Sequence, residues 1–305
     1  MGAFTSLDSA IVGAIAAEYG LHVSEFHQLS GGIENTNALM VALEGNFVLT
    51  MLEKKDLAAG TAYAAYLHAL ADAGLPVPRI MQCRAGAQVT SYAGKPVIVS
   101  EYVAGRCYDP FPREFLFHAG ATLAHVHTAQ NITCPLPPYL RLRASHLAEI
   151  ASFADAEFAE WVLRHHQRVR YVVESGSVKV PIHGDLFPDN IIVRGPNDLV
   201  FVDWDDGSLD YPWIDVGMAI IGLCCREFFV PGRARLFLGG YQSVAPDGLD
   251  MGIVRDAAIY VALFTSYNRY RRRGTSQSYA DPRRSYRAIA GVVSSVQEQW
   301  GDVRV

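Results

Sequence analysis

A chain of 305 residues, 50% of them hydrophobic, is long enough to bury two cores, and a net charge of −5 gives no footing for a nucleic-acid partner. No run approaches ~18 uninterrupted apolar residues, and the first residues lack a charged, apolar and cleavable pattern, so the expectation is no membrane span, no secretory signal and a cytoplasmic protein. Five cysteines (Cys83, Cys107, Cys134, Cys224 and Cys225) form an odd set without a CxxC pair, which argues against a disulfide framework or a zinc knot and for reduced thiols.

Residues 6–19 place Ile11 and Ile15 at helical spacing behind a cap at Ser6 or Asp8. Strands are expected over 22–29 and 37–43, flanking Ser30, Gly31 and Gly32, and the Glu44-Gly45-Asn46 turn leads into a third strand over 47–52. Taken alone, Gly31 and Gly32 read as a plain turn. With a phosphoryl-transfer loop further along the chain, the same hairpin reads as one whose backbone approaches ATP phosphates, with Asn35 or Asn37 donating amide hydrogen bonds. Lys54 and Lys55, just beyond the third strand, are the cations placed to reach those phosphates. The helix that follows, 57–73, holds no acidic residue between Asp56 and Asp72 to pair with such a lysine, so either Glu34 takes that place or substrate phosphates alone hold the cation.

The breaker-rich AGLPVP of residues 73–78 ends this helix, and apolar strands follow around 80–83 and 96–102. Residues 101–105 then form an edge whose main chain at Glu101 and Val103 would pair with adenine before Gly105 lets the chain cross to a second lobe. A helix is expected over 113–130 with Leu116, Ala119, Leu123 and Val126 on one side. His125 and His127, two residues apart, point to different faces of it and read as structural rather than as metal ligands. His165 and His166 sit in a charged helix and are expected in solvent.

The richest stretch is 182–206, IHGDLFPDNIIVRGPNDLVFVDWDD. Asp185 and Asn190 form a D-x-x-x-x-N loop preceded by His183, and two short apolar strands joined by Gly195-Pro196-Asn197-Asp198 return the chain to Asp203. This is the layout of a kinase catalytic loop with its second metal-binding strand. Phosphoryl transfer asks the protein mainly to position reactants and neutralise charge, so one carboxylate faces the acceptor hydroxyl while a second carboxylate and an amide hold Mg2+ through hard oxygens. Asp185 suits the first role, Asn190 and Asp203 the second, and His183 joins them as the residue that pins the loop. Asp205, Asp206 and Asp210 either face a cationic substrate or lie in solvent. The basic run Arg269, Arg271, Arg272 and Arg273, followed by Arg283 and Arg284, complements a helix C-terminus, and a carboxylate-bearing acceptor would benefit from one arginine there.

HGDLFPDN followed by VDWD resembles the aminoglycoside phosphotransferase and choline kinase superfamily. More narrowly, GGIENTNALMV, FVLTMLEKKD, GLPVPRI, IHGDLFPDN and FLGGYQSVAP, spread from Gly31 to Pro246, are similar to bacterial homoserine kinases of that superfamily. Two departures stand out. Thr50 occupies the place where the resemblance implies a lysine or arginine, and Trp204-Asp205-Asp206-Gly207 is worded more like the antibiotic and choline kinases. The resemblance also implies that Asp215 is a buried helix-start aspartate bracing the catalytic loop.

The expectation is thus an α+β, protein-kinase-like fold of two lobes, a small antiparallel-sheet nucleotide lobe over 1–103 and a larger helical lobe over 104–305 that binds the acceptor. The expected activity is ATP- and Mg2+-dependent phosphorylation of a hydroxyl on a small, amine-bearing acceptor, homoserine first, with an antibiotic or choline-type acceptor as the alternative. A binding module that has lost catalysis is the competing class, and a homodimer is compatible with the chain.

Overall fold

Asp8, rather than Ser6, opens α1 (Ser9–Tyr19): its carboxylate accepts from the Ile11 N–H at 2.8 Å, and Gly20, with φ of 75°, closes the helix. This computed structural model describes residues 5–29, 35–174, 176, 178–246, 249–273 and 285–303. The chain divides into two compact units, Met1–Gly105 with Asn131–Leu136 and Arg106–Gln130 with Pro137–Val305.

In the first unit, β1 (Val23–Gln28), β2 (Thr36–Ala42), β3 (Gly45–Met51), β4 (Thr90–Tyr92) and β5 (Lys95–Glu101) form one antiparallel sheet in the order β1-β2-β3-β5-β4. Strand alternation puts Ala38, Met40, Leu49, Met51, Val97 and Val99 on one face, where they form a core with Val12, Ile15 and Tyr19 of α1. Between β3 and β4 runs α2 (Leu57–Asp72), capped by Asp56, which accepts from the Ala59 N–H at 2.8 Å. The strand expected at 80–83 is reduced to a bridge between Ile80 and Ser100, and Thr90–Tyr92 supplies the outer strand instead. Pro78 and the turn at Gly86 leave too short a run between them to build a ladder.

The second unit is mainly helical, with α3 (Leu116–Thr128), α4 (Ala144–Ala151) and α5 (Ala156–Val169) ahead of two antiparallel strand pairs. Those pairs join β6 (Val180–Ile182) to β9 (Ser208–Asp210), and β7 (Ile191–Gly195) to β8 (Asp198–Phe201). Four more helices complete the described residues: α6 (Pro212–Cys224), α7 (Pro231–Val244), α8 (Met251–Arg272) and α9 (Tyr286–Gln299). The architecture is α+β. Among the described residues no helix is long and apolar enough to cross a membrane.

Helices α3 and α7 cross at backbone distance. A Cβ built on Gly240 would stand 1.8 Å from the Phe117 carbonyl oxygen, and one on Gly120 would stand 1.9 Å from that of Phe237. Main chain cannot swing aside as a side chain can, so Gly240→Ala is expected to lower the unfolding free energy by about 2–3 kcal/mol, read as a fall in the urea midpoint.

Two sequence expectations are corrected here. His166 is buried, because it falls on the apolar stripe of α5 with Phe158, Val162 and Val169. Asp210 neither lies in solvent nor faces a substrate: it is fully buried and held by Arg141 through paired hydrogen bonds of 2.6 and 2.7 Å.

Candidate active site

The loop between β6 and β7 carries His183, Asp185 and Asn190, and its shape is set by side chains bonded to main chain. Fully buried His183 directs Nε2 to the Val202 carbonyl at 2.8 Å, and its Nδ1 receives the Asp185 N–H at 3.2 Å. One pattern satisfies both contacts: a neutral ring protonated on Nε2. Burial favours that form by pushing the imidazole below its ordinary pKa. With both ring nitrogens engaged, and Trp204 packed at 4.7 Å between ring centroids, His183 acts as a splint between the loop and the chain leaving β8.

Asn190 donates its amide N–H groups to the Asp185 carbonyl at 2.7 Å and to Asp185 Oδ2 at 3.1 Å. Its own carbonyl accepts from the Val202 N–H at 3.0 Å, so Asp203, the next residue, leaves the hairpin directly beside Asn190. Asp203 has φ of 61°. Left-handed backbone in a residue other than glycine costs of the order of 1 kcal/mol, is best tolerated by Asn and Asp, and concentrates at functional sites. Asn190 thus joins Asp185, through its side-chain amide, to Val202, the residue that precedes Asp203, through its main-chain carbonyl.

Electrostatics separate these groups. Asp185 is only partly exposed; burial first, then the charge of Asp189, pushes its carboxyl up to about 7, against opposing pulls from Asn190, Arg269 and Arg272. A carboxylate poised near neutrality suits proton acceptance. The residues also fit a magnesium ion. With the Asn190 amide nitrogen engaged by Asp185, its Oδ1 is an oxygen donor alongside the Asp203 carboxylate. The described residues contain no cluster of three or more His, Cys, Asp or Glu side chains able to hold a metal ion. Magnesium in phosphoryl-transfer sites takes one or two protein oxygens and fills its shell with phosphate and water, so the small donor set suits it.

Beneath the loop lies Asp215, on the first turn of α6 and fully buried. It accepts from the His183 N–H at 2.7 Å and the Gly184 N–H at 2.8 Å, and it meets His127 Nε2 at 3.2 Å. Burial pushes its carboxyl up, but His127, by hydrogen bond and charge, and His183 outweigh this and hold it below the usual carboxylate range. His127 Nδ1 in turn meets the buried Tyr241 hydroxyl at 2.8 Å. The sequence reasoning reads His127 as structural without naming its partners, and it does not pick out Tyr241. The available signal was that His127 continues the stripe of Leu116, Gly120 and Leu123, which marks it as buried and in need of partners. Gly184, with φ of 84°, has no room for a side chain, since a Cβ would stand 2.5 Å from the Asp206 carbonyl oxygen.

In the first unit, Gly31 and Gly32 lie outside the described residues, as does Glu34, while Asn35 directly precedes β2. Thr50 donates to Asn37 Oδ1 at 2.8 Å, so the two are partners across β2 and β3. Lys54 is exposed, and Lys55 is half-buried with its ammonium 5.4 Å from the Tyr63 ring centroid. An ion pair that sequence reasoning missed joins Lys95 to Glu53, which also accepts from the Thr36 hydroxyl at 2.6 Å. Despite burial these partners hold the Glu53 carboxyl at about 2. The Glu101 N–H is taken by the Arg79 carbonyl at 2.9 Å and the Tyr102 N–H by that of Asn46 at 3.1 Å.

The profile of the phosphotransferase enzyme family, APH, matches residues 25–246. The chain belongs to the APH family. A homoserine kinase of Pseudomonas aeruginosa is 26% identical to it over 271 residues, 81% of this chain and 80% of the relative. Among solved structures, a spectinomycin phosphotransferase in complex with ADP and spectinomycin aligns with a TM-score of 0.70 at 11% identity, over 97% of this chain and 99% of that one. An amicoumacin kinase in complex with AMP-PNP and Ca2+ aligns at 0.68 and 13% identity, over 97% and 94%. The fold of this APH phosphotransferase is protein-kinase-like, and the protein is a small-molecule kinase.

Proposed function

We propose that this APH-family kinase transfers the terminal phosphoryl group of ATP, with Mg2+, to the hydroxyl of a small amino-acid-like acceptor, with homoserine as the first candidate. The observation that carries the reading is the hydrogen-bonded unit of Asp185 and Asn190 joined through Val202 to Asp203. Asp185 would receive the acceptor hydroxyl proton, in keeping with a carboxyl raised toward neutrality. His183 would keep Asp185 and the chain after β8 in register through its two ring contacts. Asn190 and Asp203 would hold Mg2+, which when bound neutralises phosphate charge. In the first unit, Lys54 or Lys55 would meet the phosphates, with Gly31, Gly32 and Asn35 as the covering turn. Because the Glu101 and Tyr102 N–H groups are already bonded, the adenine would pair with the Glu101 carbonyl and the Val103 N–H.

The choice of homoserine follows the 26% identity to a protein of that activity across four-fifths of both chains. The test is ADP release, followed by a coupled assay, with ATP, Mg2+ and a panel of homoserine, serine, choline, ethanolamine, nucleosides and aminoglycosides. Turnover with homoserine above the remainder is the expected result, and turnover with none points to a binding module. In parallel, Asp203→Gly, which removes the carboxylate and tolerates the φ of 61°, is expected to remove the magnesium dependence of ATP binding, weakening it by about tenfold or more. An unchanged magnesium titration would exclude Asp203 as a ligand.

A further inference from the structure

We propose that Asn37 and Thr50, facing each other across β2 and β3, form a neutral reader for the phosphates of the nucleotide, with Asn37 as the contact and Thr50 as the residue that positions it. Neither β2 nor β3 carries a lysine or arginine, so an anion meeting this stretch of the sheet must be held by hydrogen-bond donors.

The register decides which face the pair occupies. Asn37 stands opposite Thr50, and Leu39 opposite Val48, on the face away from Ala38, Met40, Leu49 and Met51, which pack with α1. Those four are fully buried, whereas Asn37, Leu39, Val48 and Thr50 are half-buried and keep contact with solvent. The strip is graded along the strands, two aliphatic side chains and then two polar ones. Thr50 pairs with Ile98, three positions along β5 from Glu101, whose own partner is Phe47. At ~3.4 Å per residue this is about 10 Å, the reach from an adenine held at the Glu101 carbonyl to its first two phosphates. Leu39 and Val48 lie between, where the base and sugar would rest.

The hydrogen bond within the pair sets what it offers. The Thr50 hydroxyl has one proton and gives it to Asn37 Oδ1 at 2.8 Å. That bond fixes the amide with its N–H2 group turned away from Thr50, and among the described residues Asn37 Nδ2 meets no acceptor. A phosphate oxygen is an acceptor only, and an amide that donates to it makes a charge-assisted hydrogen bond. A neutral donor lacks the charge and reach of a lysine, so its direction has to be set in advance. Thr50 does this. The reader rests on the ATP reading above and adds to it a donor inside the sheet, apart from the proposed lysines and the turn before β2.

Binding of ADP with Mg2+, followed by isothermal titration, and of adenosine, followed by ligand-observed NMR, tests the pair without turnover. Asn37→Asp keeps the acceptor for Thr50 but turns a carboxylate toward the phosphates. It is expected to raise Kd for ADP about 30-fold or more and to leave Kd for adenosine within about twofold. Asn37→Ala should raise Kd for ADP about tenfold, and Thr50→Val, which keeps the volume without the hydroxyl, about three- to tenfold. Thr50→Ser should stay near wild type. Because Thr50 acts through Asn37, adding T50V to N37A should weaken ADP no further. Urea unfolding of each variant shows that it is folded.

Equal affinity of wild type and Asn37→Asp for ADP would overturn the reader. So would a parallel loss of ADP and adenosine, which would assign the pair to the shape of the sheet, or a further loss on adding T50V to N37A, which would make Thr50 a contact in its own right. Should no alcohol be phosphorylated while ADP binds wild-type protein and not N37D, the kinase reading falls and the reader stands. Turnover with the same KM for ATP in wild type and N37D leaves the kinase and overturns the reader. A wild-type protein that binds no nucleotide overturns both.

Discussion

Replacing Asp185 by asparagine is expected to lower turnover about 10²–10⁴-fold while ATP binding in the presence of Mg2+ stays within a few-fold of wild type. Asparagine keeps the size of the side chain and an oxygen that can accept from Asn190, so the loop retains its bond pattern. What it loses is the ability to take a proton, the role proposed for Asp185 toward the acceptor. The same substitution should make the free protein more stable at neutral and higher pH. In the folded chain the Asp185 carboxyl is raised from 3.8 to about 7, so its protonated form is the one the fold prefers. For a group raised in this way, the favourable contribution is complete below the unfolded pKa of 3.8 and is lost as pH rises through about 7.

The wild-type protein therefore carries a penalty above about pH 7 that Asp185→Asn lacks, and the two should converge near pH 4. Because the carboxylate keeps partial contact with solvent, the gain is set at about 1–3 kcal/mol rather than the full conversion of the shift. Urea unfolding of both proteins at about pH 8 and pH 4 checks this. If Asp185→Asn turns over as fast as wild type, Asp185 is not the proton acceptor. If it is no more stable at the higher pH, the carboxyl titrates in its ordinary range.

Asp215→Ala should be the most destabilising single change in the helical unit, by about 3–5 kcal/mol at pH 7. The substitution leaves the buried His183 and Gly184 N–H groups without their acceptor and removes the partner of His127 Nε2. Since the Asp215 carboxyl is held below its ordinary range in the fold, its contribution is present above an unfolded pKa of 3.8 and fades as pH falls below it. The gap between wild type and variant should accordingly narrow in acid. Equilibrium unfolding at neutral and acid pH reads both parts. A variant within about 1 kcal/mol of wild type at pH 7 would mean that water replaces the carboxylate under the loop. His127→Gln should show a smaller loss of the same kind, since it leaves the two main-chain bonds intact.

The site was legible in the sequence where its chemistry is local. Asp185, Asn190 and Asp203 lie within nineteen positions. Tight turns join them, so the contacts of Asn190 with Asp185 and with Val202, the neighbour of Asp203, follow from chain geometry, and the Asp8 cap announces α1. Pairings across long stretches of chain were not legible. His127 and Tyr241 are 114 positions apart, and Arg141 and Asp210 are 69 apart; no spacing rule links either pair. Asp210 in particular sits among acidic residues that suggest a solvated loop, and only the fold brings Arg141 to it. The segment at 80–83 misled for the opposite reason: its apolar residues have strand composition, but its neighbours set too short a length. Of the basic run at the end of α8, the sequence supplies the charges, whereas the direction each arginine takes depends on Glu149, Tyr270 and Phe187.

The twisted backbone at Asp203 bears on how this position can vary over generations. Chemistry admits residues offering a hard oxygen, which keeps Asp, Asn and Glu in play. Conformation admits those at ease with φ of 61°, a set led by Gly, Asn and Asp. The two filters overlap in only a pair of amino acids, so glutamate, for all its matching charge, is a poor heir at this place. An alanine there combines a missing oxygen with a backbone it dislikes, and asparagine or glycine is the cleaner way to ask what the carboxylate alone contributes.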